Sequence, residues 1–384
     1  MEQKSERLIS LDVFRGITIA GMIMVNNPGS WGHIYPALEH AKWHGVTPTD
    51  LIFPFFLFIV GVAITLSLNK RKQRGDNLEK LLFQVARRGA MIIFIGLLLG
   101  SFPFFRYNPD MGFSWFDFSK IRIPGVLQRI GVVYFFASLI FIYTKPKTQA
   151  IIAGALLLIY WFLMAVIPVP GVGYPNLEPA TNLGAWLDNT LLGGHLWSAS
   201  KVWDPEGILS TVPAISTALC GILLGHWLKT DKDPLTKIAW MFVAACIGIV
   251  VSMFWDMAFP INKSLWTSSY VIYCASMALF FFASIYFLVD VKGIKWWTKP
   301  FVVYGMNAIT VFFLSGVLAR ILGMIYVTKN AEGHWVNFQS YVYNNILCSF
   351  LNPLNASLAW AIMYILFWLG MMWILYAKKI FIKV

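Results

Sequence analysis

The sequence predicts an all-α, polytopic integral membrane protein of about ten spanning helices, with both ends on the same side of the bilayer. Three observations predict it. Apolar residues make up 58% of the 384 and charged residues only 12%, about half the charge of a soluble domain. Stretches long enough to cross roughly 30 Å of hydrocarbon recur from end to end. The Lys and Arg residues fall mainly on alternate connections between those stretches.

The predicted spans run near Leu11–Asn26, Leu51–Leu68, Gln84–Phe104, Gly125–Tyr143, Gln149–Ile167, Ile208–Leu228, Ile238–Trp255, Leu265–Val289, Phe301–Val327 and Ala356–Ala377. Apolar Tyr341–Leu351 is too short to span and reads as a re-entrant or interfacial helix. Connections sharing a side with the N-terminus hold three times as many Lys and Arg as the opposite set. They include Lys4 and Arg7, the run Lys70, Arg71, Lys72 and Arg74, and Lys378, Lys379 and Lys383 at the tail. The positive-inside rule places this set in the cytoplasm, N-in and C-in. An odd number of spans would scramble the alternation. The formal net charge of +12 then faces anionic lipid and calls for no nucleic acid. No signal peptide opens the chain, no repeat of the solenoid kind is visible, and residues 1–384 read as one membrane domain. Cys220, Cys246, Cys274 and Cys348 lie in or beside apolar runs without a CxxC pair. They read as buried thiols, not as disulfides or metal ligands.

The outer connections Asn27–Thr49, Arg106–Pro124 and Val169–Gly207 are too long for simple turns and are predicted to build a substrate chamber. Asn26-Asn27-Pro28-Gly29 stops the first span, and amides at membrane depth need partners or water. Five of the six histidines (His33, His40, His44, His195 and His334) fall on this side, His226 being the exception. With Glu39 and Asp50 they offer a general base, a nucleophile or metal ligands; equally, they are interfacial rings bonded to backbone. His40 and His44, four residues apart, would share a zinc ion if their segment were helical. Pro124 suits a helix's first turn and sets Arg129 about a turn and a half inside, a functional position by default or else an internally paired arginine. Arg15 with Asp12 poses the same choice at the cytoplasmic end. Asp204 and Glu206 cap the sixth span through the helix dipole, or grip sugar hydroxyls or a cationic amine. Asn307 puts a further amide within the ninth span.

At these residues the chain resembles the heparan-α-glucosaminide N-acetyltransferase family. The blocks that carry the resemblance include SLDVFRG (Ser10–Gly16), VNNPGSW (Val25–Trp31), HAKWHGVTPTDLIFPFFLFIVG (His40–Gly61), RIPGVLQR (Arg122–Arg129), DPEGIL (Asp204–Leu209), INKSLWTSSYV (Ile261–Val271) and GMN (Gly305–Asn307). They stand in family order along nearly the whole chain. The resemblance implies that cytoplasmic acetyl-CoA donates its acetyl group to an amino sugar of the glucosamine or heparan sulfate type on the other face. It puts the catalytic histidine on His40, an asparagine on Asn26 and an acid on Asp50. Arg129, Gln128 and Arg88 match positions assigned to the CoA site, with Arg15 and Asn307 placed beside them. Asp204, Glu206, His44 and Trp43 are placed on the acceptor side. Ser315 stands where lysosomal members have a histidine, and a luminal N-terminal region of those members is missing, as in the bacterial branch. The resemblance further implies a bacterial inner membrane, a homodimer and no metal. Two rival readings remain open: an amino-sugar transporter with a midplane site at a broken first span, and a metal-dependent hydrolase built on His40, His44 and Asp50.

Overall fold

Nine helices of the described residues are long and apolar enough to cross a membrane, and a tenth crossing is a helix pair bent by 82°. The computed structural model describes residues 8–382, without the side chains of residues 70, 72 and 73. Lys4, Arg7 and Lys383, counted above among the basic connections, lie outside the described residues, as do the side chains of Lys70 and Lys72.

The first five spans are α1 (Ile9–Asn26), α2 (Ile52–Gln73), α3 (Leu78–Ser101), α4 (Val126–Tyr143) and α5 (Pro146–Val166). A short helix α6 (Leu183–Leu192) precedes α7 (Thr211–Leu228), α8 (Pro234–Asp256) and α9 (Ser268–Tyr286). Next come α10 (Lys299–Met306) and α11 (Ala308–Met324), the bent pair, then short α12 (Phe338–Tyr341) and the last span α13 (Pro353–Ala377). Proline opens α5, α8 and α13, where its missing N–H removes a group that has no helical partner anyway. Asp233 and Asn352 cap α8 and α13 from the preceding position. Helix α2 runs beyond its apolar stretch into Lys70–Gln73 because Lys, Arg and Gln are good helix formers.

Burial divides the spans into a centre and a perimeter. Over their most apolar windows α2 is 67% buried, while α8 is 22% buried. The centre is held by direct backbone contact between α2 and α7. A Cβ on Gly61 would fall 1.9 Å from the Ala218 carbonyl oxygen, and one on Gly221 would fall 1.9 Å from that of Phe58. Thr65 Oγ1 donates to the Ile222 carbonyl at 3.1 Å across the same seam. Small residues that let helices touch are the usual glue inside a bilayer, where lipid is as apolar as leucine.

Four features depart from the expected layout. The ninth span is not the single helix Phe301–Val327. It breaks at Asn307, whose side-chain amide donates to the Ile380 carbonyl at 3.1 Å and accepts from the Ile382 N–H at 2.9 Å. Helix α10 lies tight across α1, with Gly305 against the backbone of Asp12 and Gly16 against that of Phe301. The long connections hold two small antiparallel hairpins, β1 (Phe105–Asn108) with β2 (Gly112–Trp115) and β3 (Tyr326–Lys329) with β4 (Trp335–Asn337). Helix α6 stands inside the long Val169–Gly207 connection, where no helix was predicted. The bundle therefore has an end rich in ordered connections, linked by bonds such as Tyr326 to the Tyr107 carbonyl and Ile123 to that of His195. Its other end carries short links and the contacts of Ser10 with Asp290 and of Asn307 with the tail.

Substituting Gly221 by leucine is expected to push α2 and α7 apart and cost about 1–3 kcal/mol or more. The same change at Gly100, which has open space around it, should leave thermal stability in detergent nearly unchanged; equal melting temperatures for the two variants would contradict this packing.

Candidate active site

The segment after α1 folds back so that His40 meets the start of α2. Thr47-Pro48-Thr49-Asp50 begins a tight helical turn, and Asp50 acts as its reciprocal cap. The Asp50 carboxylate is fully buried. It accepts from the Thr47 N–H at 2.9 Å, the Thr47 hydroxyl at 3.0 Å, the Ala41 N–H at 3.1 Å and His40 Nδ1 at 2.7 Å. A carboxylate only accepts, so Nδ1 carries the proton and Nε2 keeps its lone pair. The His40 side chain is 46% exposed; the ring is held from behind and open in front.

Lys263 completes the cluster. Its Nζ lies 3.0 Å from both ring nitrogens of His40 and 3.8 Å from Asp50 Oδ1. With Nδ1–H committed to Asp50, the ammonium can donate only to Nε2. Burial holds the Lys263 ammonium below its ordinary range, with the Asp50 charge opposing the shift. The turn that presents Lys263 is locked by Asn262, whose Oδ1 accepts from the Leu265 N–H at 2.9 Å and whose N–H donates to Thr267 Oγ1 at 3.0 Å. Gly45, at φ +104°, donates its N–H to the Ile261 carbonyl at 2.7 Å and ties this turn to the His40 segment. Tyr270 at the start of α9 donates to the Asp50 carbonyl at 2.6 Å.

A second cluster lies beside it. Arg122 reaches Asp204 through two bonds of 2.8 and 2.6 Å and Glu206 through one of 2.5 Å. Burial works against the Arg122 charge, yet these two acids hold the guanidinium above its ordinary range. Arg129, only 2% exposed, lies 5.0 Å over the Trp266 ring and donates to the Gly207 carbonyl and the Ser210 hydroxyl. Its Nε and Nη1 have no hydrogen-bond partner among the described residues. Asp188 on α6 accepts from the Ile208 N–H at 2.8 Å. Burial, reinforced by nearby Asp204, pushes its carboxyl up to about 6.

The structure brings some expected site residues together and separates others. His40 and Asp50 meet. Asn26 ends α1 as an exposed residue, and no hydrogen bond ties it to His40 among the described residues. The segment holding His40 and His44 is not helical, so the two do not share a face; His44 instead faces Asn262 at 3.4 Å. Trp43 donates to the Leu177 carbonyl and sits edge-on to Trp203. Asp204 and Glu206 have their carboxylates engaged by Arg122. The five expected CoA contacts do not form one cluster. Arg129 and Gln128 lie near the end that holds His40, with Gln128 wedged against Gly96 and Gly125. Arg15 and Asn307 lie toward the opposite end, with Arg15 near Asp12 and the Gly305 carbonyl at 3.4 Å each. Arg88, ten residues into α3, rests 5.0 Å over the Tyr134 ring.

The family model described as heparan-alpha-glucosaminide N-acetyltransferase, catalytic, matches residues 7–253. The chain belongs to this family. Among curated relatives, the heparan-alpha-glucosaminide N-acetyltransferases of Homo sapiens and Mus musculus are each 30% identical to it, over 98% and 99% of this chain. The match takes in 60% and 61% of their own length, so the chain spans about three-fifths of those relatives. For a chain of the heparan-alpha-glucosaminide N-acetyltransferase family, the sequence reading missed two side chains of this region. Lys263 was visible as a lone base in an outer connection beside an asparagine, and Asp188 as an acid just before the Asp204–Glu206 pair.

The Asp188 shift has a defined sign. Its folded value lies above the ordinary carboxylate range, so the stabilisation is complete below that range and is lost as pH rises through about 6. The charges around it are Asp204 and Arg129. Asp188→Asn is therefore expected to raise the melting temperature at pH 8 relative to the parent, with a smaller or no gain at pH 4.5. A gain independent of pH would show that the carboxyl is not strained when ionised.

Proposed function

We propose that the chain moves an acetyl group from acetyl-CoA, presented at the basic cytoplasmic end, to the amine of a glucosamine-type sugar on the opposite side of a bacterial inner membrane. The observation that carries this reading is the His40 ring held between buried Asp50 and Lys263, in a chain of this family. The acceptor amine gives a proton to His40 Nε2, from which Lys263 must first withdraw. The nitrogen attacks the thioester carbonyl, a C–N bond forms, and the C–S bond breaks. The thiolate leaves with the proton from His40. Asp50 keeps Nε2 as the basic nitrogen and offsets the charge of the imidazolium. The displaced Lys263 ammonium stays within reach of the developing oxyanion, where a fixed positive charge lowers the barrier. Asn26 is read as a second donor that the bound substrates draw inward.

The donor must reach from one end of the bundle to the other. Helix α1 alone, 18 residues at 1.5 Å each, spans about 27 Å. Arg15 and the Asn307 end are read as holding the nucleotide, Arg88 as flanking the pantetheine arm, and Arg129 with Gln128 as lying near the acetyl end. The transporter reading rests on the Asn26–Gly29 stop of the first span, and α1 does end at Asn26; thiol release separates it from transfer. The hydrolase reading rests on His40, His44 and Asp50, of which His40 and Asp50 are hydrogen-bonded while His44 faces Asn262; metal analysis and chelator insensitivity separate it from transfer.

Purified protein mixed with acetyl-CoA and glucosamine is expected to release free thiol. His40→Ala should cut that release by roughly 10²–10⁴-fold while retaining the thermal shift produced by CoA. Full turnover in this variant would remove His40 from the reaction. Glucosamine flux into vesicles without thiol release would replace transfer by transport.

A further inference from the structure

Among the recesses that the transfer step leaves unused, one adjoins the turn that carries Lys263. It lies between α5, α6 and the segment leading into α7, and its lining includes Tyr160, Asn182, Asp188, Trp203, Ser210 and Ser264. It is shallow and open at its mouth, with enclosed room for about one water, so a sugar would set only an edge or a hydroxyl into it. Three features make it a built site. Asp188 has no ion-pair partner among the described residues, because Arg122 is committed to Asp204 and Glu206. Its carboxylate is locked in place: it accepts from Ile208, and a Cβ on Gly207 would fall 1.9 Å from Oδ2. The Trp203 indole is fixed edge-on between Trp43 at 5.2 Å and Trp197 at 5.7 Å. Arg129, 2% exposed and with two nitrogens, Nε and Nη1, lacking a hydrogen-bond partner among the described residues, bonds directly to the lining residue Ser210. An aromatic face beside a carboxylate, an amide and hydroxyls is the chemistry that recognises a pyranose, with C–H groups against the ring and hydroxyls donating to the acid.

We propose that this recess binds the sugar of the acceptor through its hydroxyls, with Asp188 and Trp203 as the principal contacts, and turns the amine toward Lys263 and His40. The acceptor's identity as an amino sugar rests on the transfer reading above; the pyranose site does not. Ser264 lines the recess and adjoins Lys263 in the chain, so one turn joins the sugar site to the base. Asp204 and Glu206 then shape the wall through Arg122 and do not hold the substrate.

Isothermal titration of CoA-free protein in detergent tests this with glucosamine, N-acetylglucosamine and cyclohexylamine. Both sugars are expected to bind and the hydroxyl-free amine is not. Asp188→Asn, which keeps the acceptor for Ile208, and Trp203→Leu should each weaken both sugars by roughly 10–100-fold, with the CoA-induced thermal shift preserved. Unchanged sugar affinity in both variants, or no sugar binding by the parent, overturns the site. A loss confined to glucosamine overturns hydroxyl recognition, because the carboxylate would then be reading the ammonium. Thiol release by the same parent preparation judges the transfer reading separately: intact, Asp188-dependent sugar binding without thiol release would sink transfer and leave the sugar site standing.

Discussion

One buried carboxylate organises the loop-rich end. Asp50 gathers donors from Ala41, Thr47 and His40, and the carbonyl of the same residue takes the Tyr270 hydroxyl. Burying a charge is tolerable only when it is paired and hydrogen-bonded, so the segment leaving α1 has little freedom in how it returns to α2. That constraint gives the His40 ring its tautomer and leaves Nε2 facing outward. Lys263 is then attracted to the only lone pair that remains.

The arrangement needs a rigid base, and the centre of the bundle supplies one. Helices α2 and α7 touch backbone to backbone at Gly61 and Gly221, while α1 and α10 do so at Gly16 and Gly305. Both segments that feed the His40 cluster are anchored on this centre, one at the start of α2 and the other at the start of α9. The Arg122–Asp204–Glu206 cluster fixes the entry to α7 in the same way, its one cation bridging two acids that would otherwise repel across a two-residue spacing.

Much of this was legible in the sequence, because membrane thickness sets a length that hydrophobic runs must meet and lysine-rich links mark alternate connections. The break at Asn307 was not legible. Its cause is capture of one amide by Ile380 and Ile382, more than 70 residues away. The pairing of His40 with Asp50 could be anticipated from a compact block ten residues long. Lys263 could not, since its approach depends on a Gly45–Ile261 bond between distant segments. Asp204 and Glu206 were read as helix caps or as a grip for substrate, because the one side chain that engages both lies 82 positions before Asp204, at Arg122. Local pattern reveals what a segment must bury; it says little about which far segment will meet its charges.

The turn carrying Lys263 hangs between two unlike helices. On one side α8 is the least buried span, 22% over its apolar window; on the other α9 is 44% buried and packed into the centre. Mismatch between a bilayer and the apolar length of a span is accommodated by tilt. A tilt of α8 would be resisted at this turn, where the Asn262 bonds hold it to the start of α9 and the Gly45–Ile261 bond holds it to the His40 segment.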